Sequence, residues 1–368
     1  MSTRTRLGIA AVLVAALIVV VLVAGGTFGG GDPVPVVGLS GSEKIPFFED
    51  DRVQAVLRDR GFEVEARSAG SREIATSYDL TLYDFAFPAG VPAATKIRAE
   101  NSTEGQFSTF FTPMVIASWD PIADLLAGSG VARDAGTYHV VDLRGLVDLM
   151  AGTESAEPKV WTELPGNEAG AIFNSSRSVL INSTDIRKSN SAAMYLSMVS
   201  YALNGGAILT STAEADAIYD RVEPLFLGQG FAASSSAGPF ETYLVRGMGG
   251  SPMVMVYEAQ FIEEFTKESS AITNDMTLLY PEPTLFTQHT FVALTEAGRE
   301  VGELLSSDPE LQRLAAEYGL RTTDRAAFEG WIAENQVPVA ADLQDVIDPP
   351  SYEVLEHLIQ RLEEAYQR

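Results

Sequence analysis

Three times along this chain a short strand-like run breaks into small hydroxyl residues and then into a helical segment, and that repeat restricts the architecture more than any other feature. Val34 to Leu39 breaks into Ser40, Gly41, Ser42, Glu43 and Lys44; Phe62 to Ala66 breaks into Ser68, Ala69, Gly70, Ser71 and Arg72. Val179 to Asn182 breaks into Ser183, Thr184, Asp185, Ile186, Arg187, Lys188, Ser189, Asn190 and Ser191 before the apolar helix ending near Leu203. Strands alternating with helices predict an α/β body. In an open α/β sheet the ligand crevice lies outside the carboxyl ends of the strands, where all three serine clusters fall if their strands are parallel.

The chemistry at such corners is that of binding. The first N–H groups of a helix have no intrahelical partner, so they converge with nearby hydroxyls on whatever stands in front, and the helix dipole favours negative charge there. Taken singly, Ser189 or Ser191 reads as a helix cap; the repetition of the pattern argues for a site.

The N-terminus sets the compartment. Arg4 and Arg6 precede an uninterrupted apolar run from Leu7 to Ala24, followed by a glycine-rich stretch to Asp32. An apolar run approaching the ~20 residues of a membrane-spanning helix, with arginines on its N-terminal side only, predicts Met1 in the cytoplasm and the remainder outside. The expected order is a cytoplasmic n-region at 1–6, a transmembrane anchor or signal at 7–25, a tether at 26–33 and then the exported body. A retained anchor is preferred over a cleaved signal because the run is long and lacks a clean A-x-A site.

The formal charge of −25, or −27 once Arg4 and Arg6 are set aside with the anchor, excludes nucleic acid as a partner. It leaves a small anion open, because local dipoles outweigh distant, screened carboxylates. The chain has no cysteine, hence no disulfide, thiolate metal site or cysteine nucleophile. His139, His289 and His357 lie far apart and form no H-x-x-x-H pair, no G-x-S-x-G elbow or P-loop is present, and Trp119 and Trp161 read as packing residues. No catalysis, metal or cofactor is expected.

Further along, Leu80 to Phe87 reads as a strand, and Phe107 to Trp119 as a long strand bent or set at an edge by Pro113. Asp120–Pro121 and Asp308–Pro309 predict helix starts, the second helix closing at Gly319. Pro252 to Tyr257, Met276 to Tyr280 and Phe286 to Leu294 read as strands, with Pro281, Glu282 and Pro283 stopping the second. In the segment Tyr352 to Arg368, Val354, Leu355, Leu358, Ile359, Leu362 and Tyr366 share a helical face that docks on the body.

The order of motifs resembles bacterial extracellular solute-binding proteins of the type 2 periplasmic-binding fold, the receptors of ABC importers. The resemblance runs from Val34 to about Thr323 and rests on GLSGSEK at Gly38–Lys44, SAGSREIA at Ser68–Ala75, YDFAFPAG at Tyr83–Gly90, TPMVIASW at Thr112–Trp119, STDIRKSNSAAMYL at Ser183–Leu196, PMVMVYEAQ at Pro252–Gln260 and LLYPEPT at Leu278–Thr284. It implies two lobes, 34–112 plus 285–368 and 113–284, joined by crossings near Pro113 and near Pro281 to Leu285. The ligand would lie in a central cleft, held by Ser40, Ser42 and Ser71 from one lobe and Ser189, Asn190 and Ser191 from the other, with Tyr257 and Glu258 at the rim. The serine clusters look like those of oxyanion receptors. Glu43 and Glu258 would oppose an anion if they faced it, so sugar, peptide, amino-acid and cation ligands stay open. The implied partners are a small-molecule ligand and a membrane transporter; the alternative is a membrane-anchored accessory or sensor protein with the same fold.

Overall fold

The computed structural model describes residues 32–230, 233–343 and 345–368. The expected membrane segment lies outside the described residues; among the described residues no helix is long and apolar enough to cross a membrane. The described residues form ten strands: β1 (Val34–Ser40), β2 (Phe62–Ser68), β3 (Phe85–Phe87), β4 (Gly105–Trp119), β5 (Ala132–Asp134), β6 (His139–Asp142), β7 (Val254–Tyr257), β8 (Met276–Glu282), β9 (Thr284–Ala293) and β10 (Val346–Ile347). They bond in the order β2-β1-β3-β9-β4-β8-β6-β5, with β7 on β4 and β10 on β9.

β1 is parallel to both β2 and β3, with Ser40 in register with Ser68 on one side and Phe87 on the other. The first two serine corners therefore share one carboxyl edge. The long antiparallel strands β4 and β9 carry the chain from this side of the sheet to the other. β4 follows β9 as far as the Pro113–Phe286 pair, then pairs with β7 from Met114 and with β8 from Ile116. Proline has no N–H to give a ladder, and Pro113 stands where β4 exchanges one partner for another.

Apolar burial separates on either side of that crossing. Val36, Phe47, Phe85, Phe87, Phe110 and Phe291 belong to one cluster, in which the Phe85 and Phe291 rings stack at 4.7 Å. Met114, Ile116, Leu196, Val199, Val256 and Leu279 belong to another. The helix Asn190–Leu203 is buried almost throughout, as its all-round apolar sequence predicts.

Five local expectations need correction. β8 runs on through Pro281 and Glu282, which were expected to stop it. Leu80–Leu82 forms a 3₁₀ turn rather than strand, because the Asp79 carboxylate accepts from the Thr81 N–H at 3.1 Å and the Thr81 hydroxyl at 2.6 Å, a local alternative to the ladder. Val179–Asn182 is not a strand; Val179 and Ile181 are buried in the core, and the chain bridges to β7 through Asn182, whose N–H donates to the Met253 carbonyl at 2.9 Å and whose carbonyl accepts from Met255 at 2.8 Å. Asp120 is the first helical residue and Trp119 the cap. The C-terminal helix Tyr352–Tyr366, expected with residues 34–112, buries Val354, Leu355, Leu358, Ile359 and Leu362 in the cluster of Met114 and Leu196, because its apolar face meets the helix Thr212–Leu227.

Candidate functional site

The corner after β1 is a tight turn. The Gly41 N–H donates to the Phe87 carbonyl at 3.2 Å, and the 3₁₀ turn Ser42–Lys44 closes with the Lys44 N–H on the Gly41 carbonyl at 3.2 Å. Ser40 is fully buried, its hydroxyl donating locally to the Gly41 carbonyl at 3.3 Å, and Ser42 is half-buried at the start of the turn. The turn directs Glu43 and Lys44 inward: their side chains are 3% and 0% exposed, and they form an ion pair. His289, central on β9 and wholly buried, places Nδ1 3.1 Å from Lys44 Nζ and 3.2 Å from the Glu43 carboxylate.

Contacts continue from this triad across the sheet crossing. The His289 ring lies 5.8 Å from that of Tyr257, at the end of β7, and the Tyr257 hydroxyl accepts from Asn190 Nδ2 at 3.2 Å. Asn190 Nδ2 also reaches the Ala89 carbonyl at 3.3 Å, while the Ala89 N–H donates to Ser71 Oγ at 2.8 Å. One peptide segment is thus held from both sides of the molecule, by Ser71 and by Asn190.

Ser189 and Ser191 serve a different end. Ser189 caps the helix, and the buried hydroxyls of Ser189, Ser191 and Thr184 bond to one another at 2.9 and 2.8 Å. Around them the two sides touch directly: the Arg72 N–H and Nε donate to the Lys188 and Arg187 carbonyls at 3.3 and 2.9 Å, and the Arg72 guanidinium pairs with Glu356 of the C-terminal helix. Gly70 and Gly90 permit this approach. A Cβ on Gly90 would stand 2.4 Å from Asn190 Oδ1, and one on Gly70 2.6 Å from the Lys188 carbonyl oxygen. A small cavity of about 40 Å³ beside the seam is lined by Arg72, Ser189, Asn190, Tyr352 and Glu356 among others.

The expected rim position of Tyr257 and Glu258 is corrected, since they are 2% and 0% exposed. Glu258 is taken up by Arg321, whose Nε and Nη2 donate to it at 2.9 and 2.8 Å, and by the Tyr280 hydroxyl. The expected gap is likewise packed at its centre by Glu43, Lys44 and His289.

Electrostatics fit a buried pair beside a neutral ring. Burial raises the Glu43 carboxyl, but the adjacent Lys44 charge and the contact with His289 hold it well below the usual carboxylate range. Burial lowers the Lys44 ammonium from its ordinary value, with Glu43 opposing. Burial and the Lys44 charge push His289 down to about 4, so the ring is neutral near neutrality. Burial and the Glu43 charge raise the Tyr257 hydroxyl well above its ordinary value, keeping it protonated. Among the described residues no group of three or more His, Cys, Asp or Glu side chains is placed to hold a metal ion.

Sequence reasoning set Lys44 and His289 aside. Lys44 stood inside a recognised corner, but nothing local joins it to a histidine 245 residues away. The available signal was a histidine in the middle of a β-branched crossing strand, where a polar side chain needs a buried partner.

Neither a protein-family model nor a curated protein matches the sequence. Solved structures do. The periplasmic binding protein AfuA from Actinobacillus pleuropneumoniae, with exogenous fructose-6-phosphate bound, superposes with a TM-score of 0.57 at 11% identity, covering 90% of this chain and 98% of that one. The ferric binding protein from Campylobacter jejuni gives 0.52 at 9% identity, over 90% and 97% of the two chains. The sulfate-binding protein SubI from Mycobacterium tuberculosis gives 0.51 at 14%, over 85% and 94%. The chain has the type 2 periplasmic-binding-protein fold.

Proposed function

We propose that this chain is an extracytoplasmic solute-binding receptor that closes two lobes on a small polar solute and delivers it to an ABC-type importer. The observation that carries the reading is the seam at Ala89, where Ser71 and Asn190 bond to the two ends of one residue's backbone from opposite sides of the crossing strands. The lobes are residues 34–112 with 285–323, and 113–284 with the C-terminal helix. The crossings at Pro113 and Leu285 supply a hinge of the kind that domain-closing receptors use. Ser40, Ser42, Ser71, Ser189, Asn190, Ser191 and Tyr257 border the binding region, and Glu258 with Arg321 fixes the frame behind it. The apolar run at 7–24 supports a body outside the membrane and tethered to it. The fold neighbours above are binding proteins, which supports a role without catalysis.

The test is a thermal-shift and calorimetric screen of the full-length protein against sulfate, phosphate, glucose, magnesium and the common amino acids. At least one class is expected to bind, and Asn190→Ala should weaken it about tenfold, the value of one well-placed hydrogen bond. Silence from every class would overturn the reading.

The alternative, a membrane-anchored sensor with the same fold, draws on the Arg72–Glu356 ion pair, which ties the lobes together through the chain's own side chains. It predicts solute binding that is unaffected by adding any importer.

A further inference from the structure

The solute's charge can be read from the triad on the first lobe, whose His289 ring lies 5.8 Å from Tyr257 of the second, and this step rests on the receptor reading above. Glu43 and Lys44 are buried, of opposite sign and in contact; His289 beside them is neutral. His289 Nε2 and Thr287 Oγ1, both buried on the same face of β9, have no hydrogen-bond partner among the described residues. The site thus holds one negative charge, one positive charge and unused hydrogen-bonding capacity.

A buried charge left without a partner costs far more than a paired one. A lone oxyanion drawn to Lys44 would leave Glu43 buried beside like charge. A lone cation drawn to Glu43 would do the same to Lys44. A sugar would disturb neither, but it would gain stacking only where an aromatic face is free. Here Lys44 Nζ stands over the Phe87 ring at 4.7 Å, and the His289 ring is tilted against Tyr257 at 5.8 Å. Only a solute carrying both charges can part the pair and leave each member satisfied.

We propose that the solute is a small zwitterion, an amino carboxylate whose ammonium pairs with Glu43 and whose carboxylate pairs with Lys44, with His289 Nε2 completing its hydrogen bonds. The solute takes the place of the direct Glu43–Lys44 contact.

Calorimetry on the full-length protein tests this with each common amino acid, betaine, sulfate and glucose, and then with the deaminated and decarboxylated counterparts of the tightest binder. Among these probes the amino acid should bind, and each single-charge counterpart should bind about a hundredfold less tightly, since each forfeits one charge-assisted contact and strands its partner. Glu43→Gln should weaken the amino acid and strengthen the carboxylate-only counterpart. Lys44→Met should weaken the amino acid and strengthen the amine-only counterpart. That exchange of preference is a readout that general damage to the fold does not produce. Should either variant fail to fold, the wild-type ranking alone decides. Tighter binding of sulfate, glucose or a single-charge counterpart to the wild type would overturn the zwitterion and leave the receptor standing. Silence of the wild type toward every probe would overturn both.

Discussion

Two buried carboxylates, Glu43 and Glu258, each lie against a cation near the sheet crossing, yet they are built in opposite ways. Glu258 accepts from both ends of the Arg321 fork and from Tyr280, while Arg321 also donates to the Ala340 and Ala341 carbonyls at 2.6 and 3.1 Å and lies 4.4 Å from the Phe328 ring centroid. The planar guanidinium fixes geometry, and neighbours share the cost of burial. Glu43 instead meets the point charge of the next residue in sequence and a histidine with one ring nitrogen unpartnered. A fully satisfied network makes a frame. A partly satisfied one, placed beside the sheet crossing, is free to exchange partners.

The contrast breaks most readily at the frame. Arg321→Met leaves the Glu258 carboxyl buried and without its cation, and should lower unfolding free energy by about 3–5 kcal/mol in urea titration. The double substitution Glu43→Gln with Lys44→Met removes both charges of the other pair together and should change stability by less than about 1 kcal/mol, because a removed pair also removes its desolvation cost. Equal losses at the two sites would erase the distinction drawn between them.

Acid sharpens it next. His289 is lowered from 6.5 to about 4 in the folded chain, so between those values the unfolded state binds more protons. The stability from the neutral ring is fully present above pH 6.5 and is lost as pH falls toward 4, up to about 3 kcal/mol. Glu43, also lowered from 4.5, extends the loss below pH 4.5. In pH-dependent melting, His289→Gln should flatten the decline between 6.5 and 4.5 and keep the decline below it. An unchanged profile in that variant would mean the ring does not titrate as its burial requires.

Much of the frame was legible because its signals are local. Serines at the ends of Val34–Ser40 and Phe62–Ser68, Pro113 within one long apolar strand, and the all-round apolar Met194–Leu203 each report their surroundings directly. The failures share one cause. Val179–Asn182 has strand composition but neighbours supplied by distant chain, Leu80 yields to the Asp79 turn, and the C-terminal helix selects its docking face from a helix more than a hundred residues earlier. At the site, the corners were visible and the Lys44–His289 contact was not, because sequence periodicity carries no record of which distant side chains meet. The same limit hid the part of Gly70 and Gly90, ordinary loop glycines in sequence whose missing Cβ atoms let the two sides touch.

That seam is the central claim, and an interlobe distance tests it most directly. The chain has no cysteine, so spin labels at Leu82→Cys and Val245→Cys, positions 74% and 83% exposed, report one from each side of the sheet crossing without competing thiols. Gly90 has an extended backbone that alanine adopts freely, so Gly90→Ala acts through the Asn190 contact alone. Pulsed electron resonance should give a narrow distance distribution for the labelled wild type and a broader one with its mean displaced for Gly90→Ala. Superimposable distributions would contradict an account in which the lobes meet at Ala89, Gly90 and Asn190.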